Sequence, residues 1–283
     1  MSKYVEARKM NKDTDNFVAT PEKKYYPGID LFKFLCAILV IMAHANPFGE
    51  DTFPGMILRQ VICPIAVPFF FAANGFFLSF SSDPQKHIAK IIKSYLTWSA
   101  VYFPFVIVKW ILGGSEGLSE NLLNYIRSFI FEGSYQTIWF LNALWFASSI
   151  CVFLLKFFKA RTVFRVSIPW YVFSCLLSSW HGLLLKLPFG IVISNLYYSF
   201  FETTKNGLLF GFTYVALGAW IAETEKLKNC SDTFKQKNIC VTLIPCLFLI
   251  VVEYVARLNY SAEAKGCDVV FCIFTRPYNS SVA

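Results

Sequence analysis

Charge is scarce in this chain of 283 residues: Asp, Glu, Lys and Arg make up 16% of it, against about 25% in an ordinary soluble domain. There are only three histidines, and the nine cysteines, at 36, 63, 151, 175, 230, 240, 246, 267 and 272, form no Cys-x-x-Cys pair. That spacing gives no zinc ribbon, redox motif or disulfide framework, and cysteines inside apolar runs behave as small buried hydrophobes. Residues 1–28 hold six Lys or Arg and no apolar stretch, so they read as a polar tail rather than a cleavable signal peptide. No low-complexity tract and no convincing internal repeat is present, which weighs against a transporter built from inverted repeats.

The chain is instead rich in apolar residues. It is 56% hydrophobic and 18% aromatic with 31 Phe, and its mean hydropathy is +0.50. Apolar runs long enough to cross a bilayer are expected at roughly 31–48, 57–80, 94–112, 136–158, 166–185, 207–222 and 239–256. An eighth opens near Asp268 and turns polar after seven or eight residues, too few to cross about 30 Å of hydrocarbon. The expected fold is all-α, a polytopic integral-membrane helix bundle with seven to eight spans present. Its organisation is a tail over 1–28, a membrane domain over 29–275 and a polar end over 276–283, where a truncated or frame-shifted end is one expectation and an interfacial one another.

Lysine and arginine counts orient these spans. The tail and the connections at 81–93, 156–165 and 223–238 carry seventeen, while the alternate connections carry six. The positive-inside rule then puts the N-terminus in the cytoplasm of a multi-pass plasma-membrane protein. Topology accounts for the net charge of +8, and basic clusters beside a membrane meet anionic headgroups, not nucleic acid.

Against this background the first span, GIDLFKFLCAILVIMAHANPF, is unusual because it holds both Lys33 and His44. An ionisable residue at mid-bilayer costs roughly 2.5 to 3.5 kcal/mol on insertion scales and is a functional candidate by default. Eleven residues rotate a helix by about 1100°, within about 20° of three turns, and rise about 16 Å. Lys33 and His44 are therefore expected to look into one interior, low and high. Imidazole can take and return a proton near neutral pH, although a lone membrane histidine equally suits a core residue bonded to a carbonyl. Lys33 suits a fixed cation for a phosphate-bearing ligand, or a side chain snorkelling to headgroups.

Three further stretches stand out. RQVICPIAVPFFFAANGFFL places Pro64 and Pro68 where they break the backbone ladder, with Asn74 and Gly75 beyond and Arg59 at the outer mouth. TIWFLNALWF sets Trp139 and Trp145 around Asn142, a packing arrangement first of all. KNGLLFGFTYVALG joins Lys205 and Asn206 to Gly207, Gly211 and Gly218, spaced for close helix contact. The outer connection 113–135 is long enough for an amphipathic helix with Leu122, Leu123, Ile126, Phe129 and Ile130 on one side. His181, Glu202 and Glu253 are further ionisable residues in or near spans.

GIDLFKFLCAILVIMAH, AVPFFFAANGFFL, IWFLNAL and KNGLLFGFTYVALG together resemble the membrane-bound acyltransferase family 3, which includes bacterial O-acetyltransferases of surface polysaccharides. The resemblance runs from Tyr26 to about Tyr254. Its most specific motif is a basic residue, ten residues and a histidine, here Lys33 and His44. It implies a bundle of about ten helices that takes an acyl group, typically acetyl, from cytoplasmic acyl-CoA to a hydroxyl of a cell-surface carbohydrate. Acyl-CoA is then a co-substrate, and no permanently bound cofactor or metal is expected. His44 becomes the catalytic base, and Lys33, Asp30, Arg59, Asn74, Trp139, Asn142, Lys205 and Asn206 become donor- or acceptor-binding residues. Asn74 replaces the family's usual serine. Partners are membrane lipids, the acyl donor and the carbohydrate acceptor, with no protein partner indicated. Two other readings stay open: a non-enzymatic transporter of a small polar or acylated molecule, and the membrane module of a sensory or amino-acid-handling protein.

Overall fold

A computed structural model describes residues 26–49, 52–113, 118–135, 137–178 and 180–227. The expected spans at 239–256 and beyond Asp268, Glu253, the polar end and most of the tail lie outside the described residues. By contact the chain divides after Phe32, into Met1–Phe32 and a main unit Lys33–Ala283.

Among the described residues every regular element is helical. Helix α1, Pro27–Ala45, opens on a proline, carries Asp30 in its first turn and His44 in its last, an order that suits the helix dipole. Asn46 at φ 47° and Gly49 at φ 81° turn the chain away, with Asn46 N–H donating to Met42 O at 3.0 Å. Thr52 caps the short α2, Phe53–Ile57, by accepting Gly55 N–H at 3.2 Å. The winding then loosens to a π-turn over Leu58–Ile62, tightens to a 3-10 turn over Cys63–Ile65, and becomes α3 at Ala66–Phe80. The expected break is thus confined to the stretch around Pro64. Pro68 lies in the first turn of α3, where a missing N–H costs nothing.

Helix α4, Pro84–Gly113, starts ten residues before the expected span because Asp83 caps it, its carboxylate accepting Lys86 N–H at 3.0 Å. Helix α5, Leu118–Phe131, is the expected amphipathic helix. Leu122, Leu123, Ile126 and Ile130 are exposed, while Tyr125 and Phe129 turn against Trp110 and Tyr95 of α4. Gly133, at φ 107°, makes the tight turn into α6, Trp139–Leu155. Next, α7 covers Ala160–Leu177. The expected single span at 166–185 is not one helix: α7 ends at Ser178, where the Trp180 N–H reaches back five residues to Cys175 O at 2.8 Å, and α8, His181–Leu185, follows as a separate turn. The connection at 186–206 holds α9, Gly190–Phe200, which periodicity did not indicate. A π-turn over Gly207–Gly211 leads into α10, Phe212–Leu227.

The core joins α3, α6, α7 and α10. At its centre Phe71 meets Phe140 and Phe210 edge-on, with centroids 4.9 and 5.8 Å away. Helices α3 and α10 approach to backbone contact: a β-carbon on Gly75 would strike the Val215 carbonyl, and one on Gly218 the Ala72 carbonyl. This is the small-residue packing of membrane helices, where close approach replaces a hydrophobic drive. The expectation of close contact at Gly207, Gly211 and Gly218 is met at all three.

Large apolar side chains cover the outside instead, including Phe34, Ile41, Ile111, Leu112, Phe189 and Leu196. Such a surface suits hydrocarbon, in which helices satisfy their own backbone groups. Among the described residues four helical segments are long and apolar enough to cross a membrane: Pro27–Ala45, Cys63–Phe80, Pro84–Leu112 and Gly207–Thr224, with Trp139–Leu155 a shorter apolar helix.

Candidate functional site

Lys33 and His44 lie on one uninterrupted helix. The packed side of α1 is marked by Cys36, which is fully buried, and Lys33, three residues away, is half-buried on that side. Its ammonium stands over the Phe77 ring of α3, 4.1 Å from the centroid, a cation–π contact that holds a cation at the edge of the bundle. His44 differs from the expectation of a shared interior: at the C-terminal end of α1 its ring is exposed. Asp30 is exposed in the first turn of α1, and Arg59 is half-buried in the π-turn before α3.

Asn74 bridges three helices. Its amide nitrogen donates to Ser148 Oγ of α6 at 2.8 Å, and its carbonyl oxygen accepts from His87 Nε2 of α4 at 2.8 Å. The bond fixes a proton on Nε2. Sequence reasoning missed His87, because it lies between Lys86 and Lys90 in a run that reads as a solvated basic connection.

Asn142 is buried and donates to the carbonyls of Phe129 and Ile130 at 3.0 and 3.3 Å. It therefore closes the C-terminal end of α5. Tyr95 joins the same knot, donating to Phe129 O at 2.6 Å and accepting Ser134 N–H at 3.1 Å. Trp139 packs at the start of α6 against Phe140.

Asn206 accepts Leu209 N–H at 2.9 Å, capping the π-turn, and donates to Tyr197 Oη at 2.8 Å. Tyr197 in turn donates to Thr203 O at 2.9 Å. Lys205, next to Asn206, is half-buried. The Glu132 carboxylate accepts the N–H groups of Glu202 and Thr203, tying the α5–α6 corner to the loop before α10. Burial pushes the Glu132 carboxyl up to about 7, against the opposing pull of the Glu202 N–H. Arg127 and Glu202 stand 3.7 Å apart beside it. His181 of α8 shares a 2.7 Å hydrogen bond with Ser194 Oγ of α9.

The predicted residues thus fall into separate places. Asn206 and Lys205 share one loop, Asn74 and Asn142 lie along buried faces with their amides bonded to protein partners, and Lys33 and His44 share α1. Among the described residues, no group of three His, Cys, Asp or Glu side chains converges where a metal ion could be held.

Comparison with known proteins bears on this arrangement. An amino-acid racemase of Enterococcus faecalis is 27% identical over 216 residues, 75% of this chain and 29% of the racemase. A second amino-acid racemase of that organism is 26% identical over 72% of this chain and 30% of its own length. A serine/alanine racemase of Enterococcus gallinarum is 24% identical over 73% and 30%. The chain spans under a third of the length of the curated relatives it matches. No solved structure matches. The family described as an acyltransferase domain matches residues 26–274, so the chain belongs to acyltransferase family 3, a class of enzymes that move acyl groups other than aminoacyl groups.

Proposed function

We infer that this protein is an integral-membrane O-acyltransferase that carries an acyl group, typically acetyl, from cytoplasmic acyl-CoA to a hydroxyl of a cell-surface carbohydrate. The observation that carries this reading is Lys33 and His44 on one helix, in a chain whose family match covers residues 26–274. The reading includes a seven-to-eight-span bundle in the plasma membrane, with the N-terminus and the lysine-rich connections in the cytoplasm.

In this scheme Lys33 holds a phosphate of the donor at the inner end of α1, and the thioester arm extends about 16 Å along the helix to the imidazole. His44 removes the proton of the acceptor hydroxyl as its oxygen attacks the thioester carbonyl. The new C–O bond forms, the C–S bond breaks, and the proton passes from His44 to the departing thiolate. General base catalysis of this kind contributes typically 10² to 10⁴-fold, and alignment of thioester and hydroxyl contributes more. Asp30, Arg59, Trp139 and Lys205 are assigned to donor or acceptor contacts, and Asn74, Asn142 and Asn206 to shaping the walls around them.

The test is transfer of radiolabelled acetyl from acetyl-CoA into glycans by membranes holding equal amounts of wild type and His44→Ala. Label with wild type and none with the variant is expected. Equal label in both removes His44 from the chemistry.

The racemase names of the relatives favour a second reading, in which the chain is the membrane module of an amino-acid-handling protein. Uptake of labelled L-serine by vesicles containing the chain would support it, and absence of uptake beside active acetyl transfer would remove it.

A further inference from the structure

A cavity of about 720 Å³ lies where the ends of α3 and α6 meet the starts of α4 and α7. Leu78, Val152, Leu155 and Phe158 form apolar walls, while Lys156, Lys159 and Glu223 supply its charges. Both lysines and the neighbouring Phe157 and Phe158 are exposed. Neither lysine is paired with a carboxylate among the described residues, Glu223 included. The opening is framed by the α3–α4 connection at 81–83 and by the α6–α7 connection at 156–159, which carries both lysines. They border the helices Cys63–Phe80 and Pro84–Leu112, both long and apolar enough to cross a membrane, so the opening lies at a membrane surface.

We propose that this cavity is a binding site for an anionic phospholipid, with its phosphodiester at Lys156 and Lys159 and an acyl chain along Leu78, Val152 and Leu155. Two ammonium groups and one carboxylate leave a single positive charge, which matches the single negative charge of a phosphodiester headgroup. Coenzyme A carries several negative charges and lacks a long apolar tail beside them, so it fits this lining less well. Phe157 and Phe158 next to the lysines are the amphipathic edge that interfacial contacts use, with rings at headgroup level and cations towards phosphate. The inference stands apart from the catalytic reading, since neither Lys33 nor His44 takes part.

Native mass spectrometry of the full chain in mixed micelles tests it, with phosphatidylglycerol and phosphatidylcholine of the same acyl chains as probes. Phosphatidylglycerol should be retained over phosphatidylcholine. Lys156→Ala/Lys159→Ala should weaken its retention by roughly thirtyfold, each lysine near the surface contributing about fivefold, and Lys156→Arg/Lys159→Arg should restore it. In the wild type itself, added salt should weaken phosphatidylglycerol retention and leave phosphatidylcholine unchanged. Equal retention of the two lipids by the wild type overturns the proposal. So does displacement of phosphatidylglycerol by coenzyme A in one-to-one exchange, which would make the cavity part of the donor site.

Discussion

Asn142, in the first turn of α6, closes the end of another helix by donating one amide nitrogen to Phe129 O at 3.0 Å. The carbonyls at a helix end have no partner within the helix, and Asn142 supplies one to Phe129 O and Ile130 O. Replacing it with Leu keeps the branched shape, leaves Phe129 O with Tyr95 alone and takes the donor from Ile130 O, at a cost of about 1 to 3 kcal/mol. Thermal unfolding in detergent should show that loss for Asn142→Leu. An unchanged transition would mean that Tyr95 alone closes α5.

Gly75→Ala should destabilise the bundle by about 1 to 3 kcal/mol, because its β-carbon meets backbone, which cannot rotate away. Gly182→Ala has nothing within 4 Å of the added carbon and should be neutral or slightly stabilising. Comparable losses in both variants would show that the α3–α10 approach is looser than described.

Glu132 gives a pH dependence of defined sign. Its carboxyl is raised from 4.5 to about 7 by burial, so the folded chain holds this proton more tightly than the unfolded one. The resulting stability is fully present below about pH 4.5 and is lost as pH rises through 7. Glu132→Gln keeps an acceptor for the Glu202 and Thr203 N–H groups without a titration. The stability of wild type relative to Glu132→Gln should therefore fall between pH 5 and pH 8, as read from unfolding transitions at both. A difference that stays flat would place the carboxyl in water.

Lys33→Ala should raise the donor KM more than Lys33→Arg does, because arginine keeps both the cation and its place over Phe77. Steady-state kinetics with acetyl-CoA reads this directly. Equal donor KM in the two variants would leave Lys33 as a packing cation only.

Much of the scaffold was legible in the sequence. The positions of α1, α3 and α10 follow from apolar runs, and the glycines of 207–218 announced a close approach because no other residue lets two backbones touch. Element ends were less legible. The span at 166–185 divides at Ser178, a change of winding that leaves no mark on average hydropathy, and α9 is too short to register against its apolar surroundings. Lys33 and His44 could be set on one helix by counting residues, whereas the exposure of the His44 ring at its end could not be read from that count. The link from Asn74 to His87 and Ser148 joins three helices, and the bond to Ser148 spans 74 residues, which no periodicity encodes. Glu132 likewise acquires its character from a loop 70 residues away.

Of the four long apolar segments, Pro27–Ala45 is the least enclosed, with 6% of its span buried against 61% for Gly207–Thr224. Among the described residues α3 and α10 meet at backbone contact, while α1 is held at buried Cys36 and at Lys33 over Phe77. Among the described residues, lateral pressure and bilayer thickness therefore act on the helix bearing His44 more directly than on the α3–α10 pair, since a helix with few neighbours answers hydrophobic mismatch by tilting. Its imidazole rides on the described long helix that is most open to the surrounding lipid.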